Sequence, residues 1–141
     1  MTALALFATV PHSDYLRFGH GDAFDAKAVA ELLSLKKQDV SKLAQVAESS
    51  VRYDDAIPVK VRERLEEIGN VINLVAGIFE GDAVKTTIWF KAINPMLGDV
   101  SPRDMIRFGR YDKLRKYIVS AVSEQAKEAA YARKRTGAKA P

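Results

Sequence analysis

The sequence contains no cysteine and, among its 141 residues, only two histidines and one tryptophan. The lack of cysteine excludes disulfides, thiolate metal sites and cysteine nucleophiles, and it suits the reducing cytoplasm, which is the location we expect. Both histidines, His12 and His20, lie in an irregular N-terminal stretch, so we expect neither a metal site nor a cofactor. No glycine-rich loop follows a strand and no convergent set of titratable groups is visible, so we predict that the chain is not an enzyme.

Long apolar runs are also scarce. The first ten residues, MTALALFATV, are apolar but carry no basic start and no small-residue cleavage site, so we expect no secretory signal. The run is far shorter than the roughly 20 apolar residues that span a bilayer, and we expect no membrane partner. Within an N-terminal extension over residues 1–24, this run is expected to pack on the body as a strand or helix start.

The net charge of +4 is unevenly distributed. Residues 101–141 hold eleven basic and four acidic side chains, whereas residues 1–58 and 59–100 are each slightly acidic. Any argument from charge about partners therefore begins with the C-terminal third.

Helical spacing dominates the rest of the chain, and no internal repeat is found. Residues 25–57 predict three short helices with tight turns, at 25–34, 38–46 and 49–54, which is a helix-turn-helix pattern. Residues 58–80 predict a linking helix whose apolar stripe is Val61, Leu65, Ile68, Ile72, Val75 and Phe79. We expect this stripe to pack within the protomer, with coiled-coil dimerisation as the alternative.

Residues 81–123 predict a second helical lobe. Its first helix runs to about Ala92, with Val84, Ile88 and Trp89 as apolar members, and Asn94-Pro95 ends it. A capping box at Ser101, followed by Pro102, opens a short helix that Gly109 ends. A last helix begins near residue 112. Residues 124–141 form a basic tail, and we expect disorder from Ala132.

Two surfaces are candidates for binding. In the helix-turn-helix, the residues placed to reach DNA are Lys36, Lys37, Gln38, Ser49, Ser50, Arg52 and Tyr53. Neighbouring acids neutralise the basic residues of this motif, so a three-helix bundle that serves folding or assembly stays an open alternative. In the second lobe, Arg103, Arg107 and Arg110 recur at spacings of four and three, which predicts one helix face. A solvated face and a nucleic-acid patch are open readings there, but the mixture of arginine with aromatic residues favours a protein interface.

The run from Asn94 to Gly109, NPMLGDVSPRDMIRFG, follows the lone tryptophan and combines a turn, a proline-started helix and a glycine stop at set spacing. This segment resembles the toxin-binding domain of the Xre/MbcA/ParS antitoxins. The stretch LSLKKQDVSKLAQVAESSVR sits where that family carries its helix-turn-helix. The resemblance covers roughly residues 25–123. Residues 49–55 are poorer in arginine than the family's reading helices, the tail past Glu124 is longer than the family's, and residues 1–24 have no counterpart.

The resemblance implies a partner and a mechanism. Members pair with RES-domain toxins, which consume or transfer the ADP-ribose part of NAD, and they occlude the toxin's active-site cleft. Many members also repress their own operon by binding operator DNA, and a homodimer or a hetero-oligomer with the toxin is consistent with this. The expected toxin-binding residues here are Trp89, Asn94, Pro95, Gly98, Ser101, Pro102, Arg103, Arg107, Arg110 and Tyr111. The alternatives are a stand-alone transcription regulator and an adaptor that dimerises through the linking helix.

Overall fold

The structure, a computed structural model, describes residues 13–136. This part of the chain forms six α-helices and contains no β-strand. The helices are α1 (Ala26–Leu32), α2 (Lys37–Ala44), α3 (Val59–Ile78), α4 (Ala83–Lys91), α5 (Pro102–Arg107) and α6 (Tyr111–Thr136). Single 3-10 turns lie at Gly21–Ala23, Glu48–Ser50 and Pro95–Leu97. The prediction of an all-α fold is therefore confirmed for the described residues.

The long helix α3 is the centre of the fold. Helices α1, α2, α4 and α6 all pack against it. Most of its predicted stripe is buried, with Val61, Leu65, Ile68 and Ile72 fully excluded from solvent and Val75 nearly so. Because the chain's own helices cover this stripe, packing within the protomer is confirmed. Both predicted lobes contribute side chains to one continuous core cluster.

Helices α1 and α2 form as the sequence predicts. The Asp25 carboxylate caps α1 by accepting a hydrogen bond from the Ala28 backbone N–H at 3.1 Å. Ser34 and Gln45, just after the two helices, adopt left-handed backbone conformations with φ of 52° and 57°. This conformation turns the chain sharply after a helix, so two short helices fit against α3 within 19 residues.

The predicted third helix at 49–54 is wrong. Only Glu48–Ser50 form a single 3-10 turn, and residues 51–58 are not helical. Asp54 accepts a hydrogen bond from the Ala56 backbone N–H at 3.0 Å and pairs with Arg52, which stabilises a turn at this position. Aspartate and serine favour such local hydrogen bonds over helix, and this preference outweighs the helical spacing.

A polar anchor ties the N-terminal segment to α3. Asp14 accepts hydrogen bonds from the backbone N–H groups of Phe18 and Gly19, both at 2.9 Å, and from the side chain of Asn73 at 3.0 Å. Asn73 in turn accepts one from the Leu16 backbone N–H at 2.9 Å. These bonds hold the segment so that Phe18 enters the core. The strand or helix start expected within residues 1–10, and His12, lie outside the described residues.

The last helix is longer than the sequence suggests. Helix α6 continues to Thr136, so the expectation of disorder from Ala132 is wrong for residues 132–136, and residues 137–141 lie outside the described range. Alanine is the strongest helix former, and Ala126, Ala129, Ala130 and Ala132 fall in this stretch. Residues 124–135 are all exposed, so intrinsic propensity rather than packing sustains the end of the helix.

Candidate partner-binding surface

The turn after α4 is held rigidly by its own residues. The Asn94 side chain accepts a hydrogen bond from the Met96 backbone N–H at 2.9 Å, and the Asn94 backbone N–H donates to the Val100 carbonyl at 3.0 Å. Pro95 begins the 3-10 turn, and Gly98 ends it with φ of +80°. Only glycine adopts this conformation without strain, so the NP-x-LG spacing builds one defined loop.

Helix α5 begins as its capping pattern predicts. The hydroxyl of Ser101 accepts a hydrogen bond from the Asp104 backbone N–H at 3.0 Å, and Pro102 follows at the first helical position. Both residues are buried. The expectation that

Arg103 faces inward rather than toward a partner. Its guanidinium donates hydrogen bonds to the backbone carbonyls of Leu33 and Ser34, the latter at 2.8 Å. These carbonyls lie just after α1, where a helix leaves acceptors without partners and where its dipole favours a cation. Lys91 reaches the same corner and donates to the Ser34 hydroxyl at 2.9 Å. Arg103 therefore joins the second lobe to the end of α1.

Arg107 makes a second link between the lobes. It donates to Asp104 at 3.1 Å and to Asp39 at 3.3 Å. Asp39 lies in α2, is 5% exposed, and also accepts a hydrogen bond from the Lys36 backbone N–H at 2.9 Å. The hydrogen bonds to Asp104 and then to Asp39 raise the pKa of the Arg107 guanidinium above its usual value. Two oppositely charged groups that meet across the lobes thus neutralise each other.

The predicted cationic face is not formed. Helix α5 ends at Arg107, so Arg110 lies beyond it with an exposed side chain, while Arg103 and Arg107 point at the first lobe. Tyr111 is only 3% exposed, so its placement on the surface is also contradicted. The spacing of four and three counted residues through a turn, where helical geometry no longer applies. Whether any of these residues contacts a toxin stays a prediction.

Tyr111 is held between two arginines. The guanidinium carbons of Arg64 and Arg115 lie 5.3 and 5.6 Å from the centroid of its ring, within the range of cation–π attraction. Burial, and next the charge of Glu67, raise the pKa of the Tyr111 hydroxyl. The residue thus joins α3 to the start of α6 and leaves no ring face for a partner.

Trp89 is half-buried at the edge of the core. Its ring packs edge-on against Phe90, with the two centroids 5.1 Å apart and the planes at 82°. One part of the indole lines an apolar depression between α3 and α6. Of the predicted toxin-binding residues, Trp89, Asn94, Pro95, Gly98 and Arg110 therefore retain some exposed surface.

The residues predicted to bind DNA do not form a single surface helix. Lys36, Lys37 and Gln38 are exposed at the start of α2, as expected. Ser49 and Ser50 are exposed in the 3-10 turn, Arg52 is exposed, and Tyr53 is half-buried. The Arg52 guanidinium is bound to Asp54, with its Nε 2.7 Å from the carboxylate, and this hydrogen bond raises the pKa of Arg52. Burial raises the pKa of the Tyr53 hydroxyl.

The most exposed apolar side chains lie elsewhere in the second lobe. They are Val84 and Ile88 on α4, Ile93 and Met96 in the following turn, and Phe108 after α5, each between 61% and 74% exposed. We call Val84, Ile88, Ile93 and Met96 the apolar patch. Monomeric proteins seldom leave several large aliphatic side chains so exposed, and such patches mark interaction surfaces.

Sequence reasoning named two of these residues without recognising their orientation. On α4, Thr86 and Phe90 are buried one turn apart, whereas Val84 and Ile88 occupy the opposite side. A helix that is apolar on both sides needs two neighbours, and α4 has only one side covered. That all-round apolar character was the available signal for a partner.

The described residues offer little for chemistry. Within residues 13–136 no three or more histidine, aspartate or glutamate side chains gather as metal ligands would. Over the same range, no helix combines the length and the apolar character needed to cross a membrane. His20 is exposed. The surface features that stand out are thus suited to contact rather than to reaction.

Comparisons with known proteins identify no family. A family model described as the FMRFamide related peptide family matches two short segments, residues 10–19 and 100–110. Both contain the tripeptide Arg-Phe-Gly, but Phe18 belongs to the core and Phe108 is exposed, so the segments share letters and not a structural role. The match covers far too little of the chain to show membership. No curated protein and no solved structure matches the chain.

Proposed function

We propose that this chain is a protein-binding antitoxin that neutralises a RES-domain toxin in the cytoplasm by occluding its NAD-consuming site. The proposal is supported by the segment from Trp89 to Gly109 that resembles the Xre/MbcA/ParS antitoxins. The observation that carries it is the location of exposed apolar side chains. Of nine large hydrophobic residues that are exposed among the described residues, five fall within residues 84–108.

The apolar patch is suited to hold a partner because its residues are ordered before binding. Val84 and Ile88 lie four residues apart on one rigid helix and are therefore neighbours on its surface. Ile93 and Met96 are presented by the loop that Asn94 and Gly98 fix. A surface held in one conformation loses little entropy on association, which favours tight binding.

The mode of binding that we propose is apolar rather than cationic. Arg103 and Arg107 are occupied by acceptors of the first lobe, so they contribute by fixing the second lobe in place. An interface of standard size buries about 1,600 Å² in total, and the partner therefore has to cover more than the four patch residues. The exposed, basic end of α6 extends from the same lobe and is available to widen the contact.

Co-expression tests this proposal directly. A RES-domain protein encoded beside this chain is expected to arrest growth alone and to be harmless with it. Ile88→Asp and Met96→Asp should abolish protection, because a carboxylate in an apolar interface is left desolvated. Val84→Asp has a matched control in Val59→Asp, since Val59 is equally a valine in the first turn of a helix and is 58% exposed.

Helical circular dichroism and the melting temperature of each variant serve as the control for folding. Loss of protection in the patch variants, with retention in Val59→Asp, supports the proposal. Equal protection by all four variants, or a RES neighbour that is harmless without this chain, would refute it.

A second candidate function is operator binding, and the orientation of Asp39 favours it. With Asp39 turned inward onto Arg107, the exposed charges of α2 are Lys37 and Lys42, with Lys36 just before it. We propose α2, rather than residues 49–55, as the helix that meets DNA. Lys37→Glu should then weaken binding to the chain's own upstream DNA far more than Lys60→Glu does. Binding should also fall steeply with salt, and salt-independent or absent binding contradicts this candidate.

A further inference from the structure

An uncharged groove runs along one side of the molecule between α3 and α6. It consists of two adjoining depressions of about 180 and 130 Å³ that share Ile78. The larger is bordered by Leu74, Val122 and Ala126, and the smaller by Trp89, Tyr117 and Ala121. None of the described residues that line either depression carries a charge. We call this feature the α3–α6 groove.

The chain enters the described structure at one end of this groove. Ser13 lines the larger depression, and the next residue, Asp14, is fixed to Asn73 of α3. Because Asn73 also accepts the Leu16 backbone N–H, the direction of the chain at this point is set by two hydrogen bonds. Residues 1–12 are therefore tethered at the border of the groove.

Those twelve residues have the composition that the groove requires. They contain no acidic or basic side chain, and eight of the first ten are apolar. Burial of apolar side chains is favourable at about 25 cal/mol per Å² of surface removed from water. A charged partner segment gains no counter-charge from this lining, whereas an uncharged apolar one loses nothing by desolvation.

The lengths agree as well. Tyr117 and Ala126 mark the two ends of the groove along α6 and are nine residues apart, which is about 14 Å of helix. Twelve residues reach up to about 40 Å when extended, so four or five of them suffice to cover the groove. A tether this short also gives the segment an effective concentration of the order of millimolar, which favours it over a separate molecule.

We propose that the N-terminal segment, residues 1–12, folds back in cis into the α3–α6 groove and covers Trp89 and Ile78 with its leucine and phenylalanine side chains. The segment is thus part of the fold rather than an appendage. This inference does not depend on the proposed function, because the apolar patch lies on the other side of α4 from Phe90 and is not part of the groove.

The lone tryptophan reports on this contact. In Leu4→Asp/Leu6→Asp, Trp89 emission should shift to longer wavelength, acrylamide quenching should increase and the melting temperature should fall by about 10 °C, since two leucine-sized contacts are lost. The control is Thr2→Asp/Thr9→Asp, which adds the same charge to the same segment and should leave all three readouts close to wild type. Equal behaviour of the two variants contradicts the proposal.

Cross-linking locates the segment without disturbing its apolar residues further. Since the natural chain has no cysteine, Leu6→Cys can be paired either with Ala121→Cys in the groove or with Lys60→Cys, about 27 Å along α3 from Ile78. An intramolecular disulfide that forms preferentially with position 121 supports the proposal. A disulfide between two chains at that position assigns the groove to a second copy, and no preference leaves it without this occupant; both outcomes overturn docking in cis.

Discussion

Replacing Arg103 by methionine should destabilise the fold, because this side chain joins the two lobes. The substitution keeps the apolar stem but removes both hydrogen bonds to the carbonyls of Leu33 and Ser34. A hydrogen bond from a charged donor contributes about 1.5–3 kcal/mol when it is shielded. The bond to Ser34 is exposed and contributes less than about 1 kcal/mol. The expected loss is therefore about 3 kcal/mol of unfolding free energy.

Urea unfolding measures this loss. With an m-value of about 2 kcal/mol/M, the midpoint of Arg103→Met should fall by about 1.5 M with little change in slope. Arg110→Met is the matched control, because Arg110 is exposed and forms no ion pair with a described residue, and it should change stability by less than about 0.5 kcal/mol. If both variants unfold at the same urea concentration, the inward role of Arg103 is refuted.

This prediction revises what charge reversal at the two arginines should do. On the predicted outward face, Arg103→Glu with Arg107→Glu would weaken partner binding and leave helicity intact. In the structure, the same change puts one carboxylate beside the carbonyl oxygens after α1 and another beside Asp39. Both contacts become repulsive, so a loss of helical signal should accompany any loss of protection.

Three further outcomes are expected. Burial raises the pKa of Asp14, but hydrogen bonds from Gly19, Phe18 and Asn73 outweigh it and leave the pKa below 3.8; its stabilisation is therefore full above about pH 4 and lost below, and Asp14→Asn should lower the melting temperature at about pH 6 but not at about pH 3. Ser101→Ala removes the cap of α5 and should cost about 1 kcal/mol in urea unfolding, unless the cap contributes nothing. Gly19→Ala should be worse than Gly21→Ala by about 2 kcal/mol in the same assay: both positions have positive φ, but only at Gly19 would a Cβ overlap a backbone carbonyl, that of Ala23, and equal losses would exclude this clash.

The sequence was most informative where a feature depends on near neighbours. The stripe on α3 needs only a period of 3.6 and a single apolar side, and Val61 to Ile72 are buried as that period predicts. The start of α5 needs only Ser101, Pro102 and the backbone of Asp104, which all lie within four residues. Such features are encoded locally, so they could be read before the fold was known.

The candidate site was harder to predict because its residues depend on distant partners. The acceptor of Arg103 lies 70 residues away at the end of α1, and that of Arg107 lies 68 residues away in α2. Spacing places such side chains on a helix but does not say what they face. At residues 49–54 the difficulty was different, because serine and aspartate suit a helix start and a turn equally.

The structure exchanges the roles that charge and apolarity had in the prediction. In the second lobe, Arg103 and Arg107 hold the molecule together, while Val84, Ile88 and Met96 face outward. Association through such a surface is driven by burial and depends weakly on ionic strength, whereas DNA binding through the lysines of α2 depends on it steeply. Ionic strength therefore separates the two proposed functions: a complex that persists at high salt involves the apolar patch, and one that dissolves involves α2.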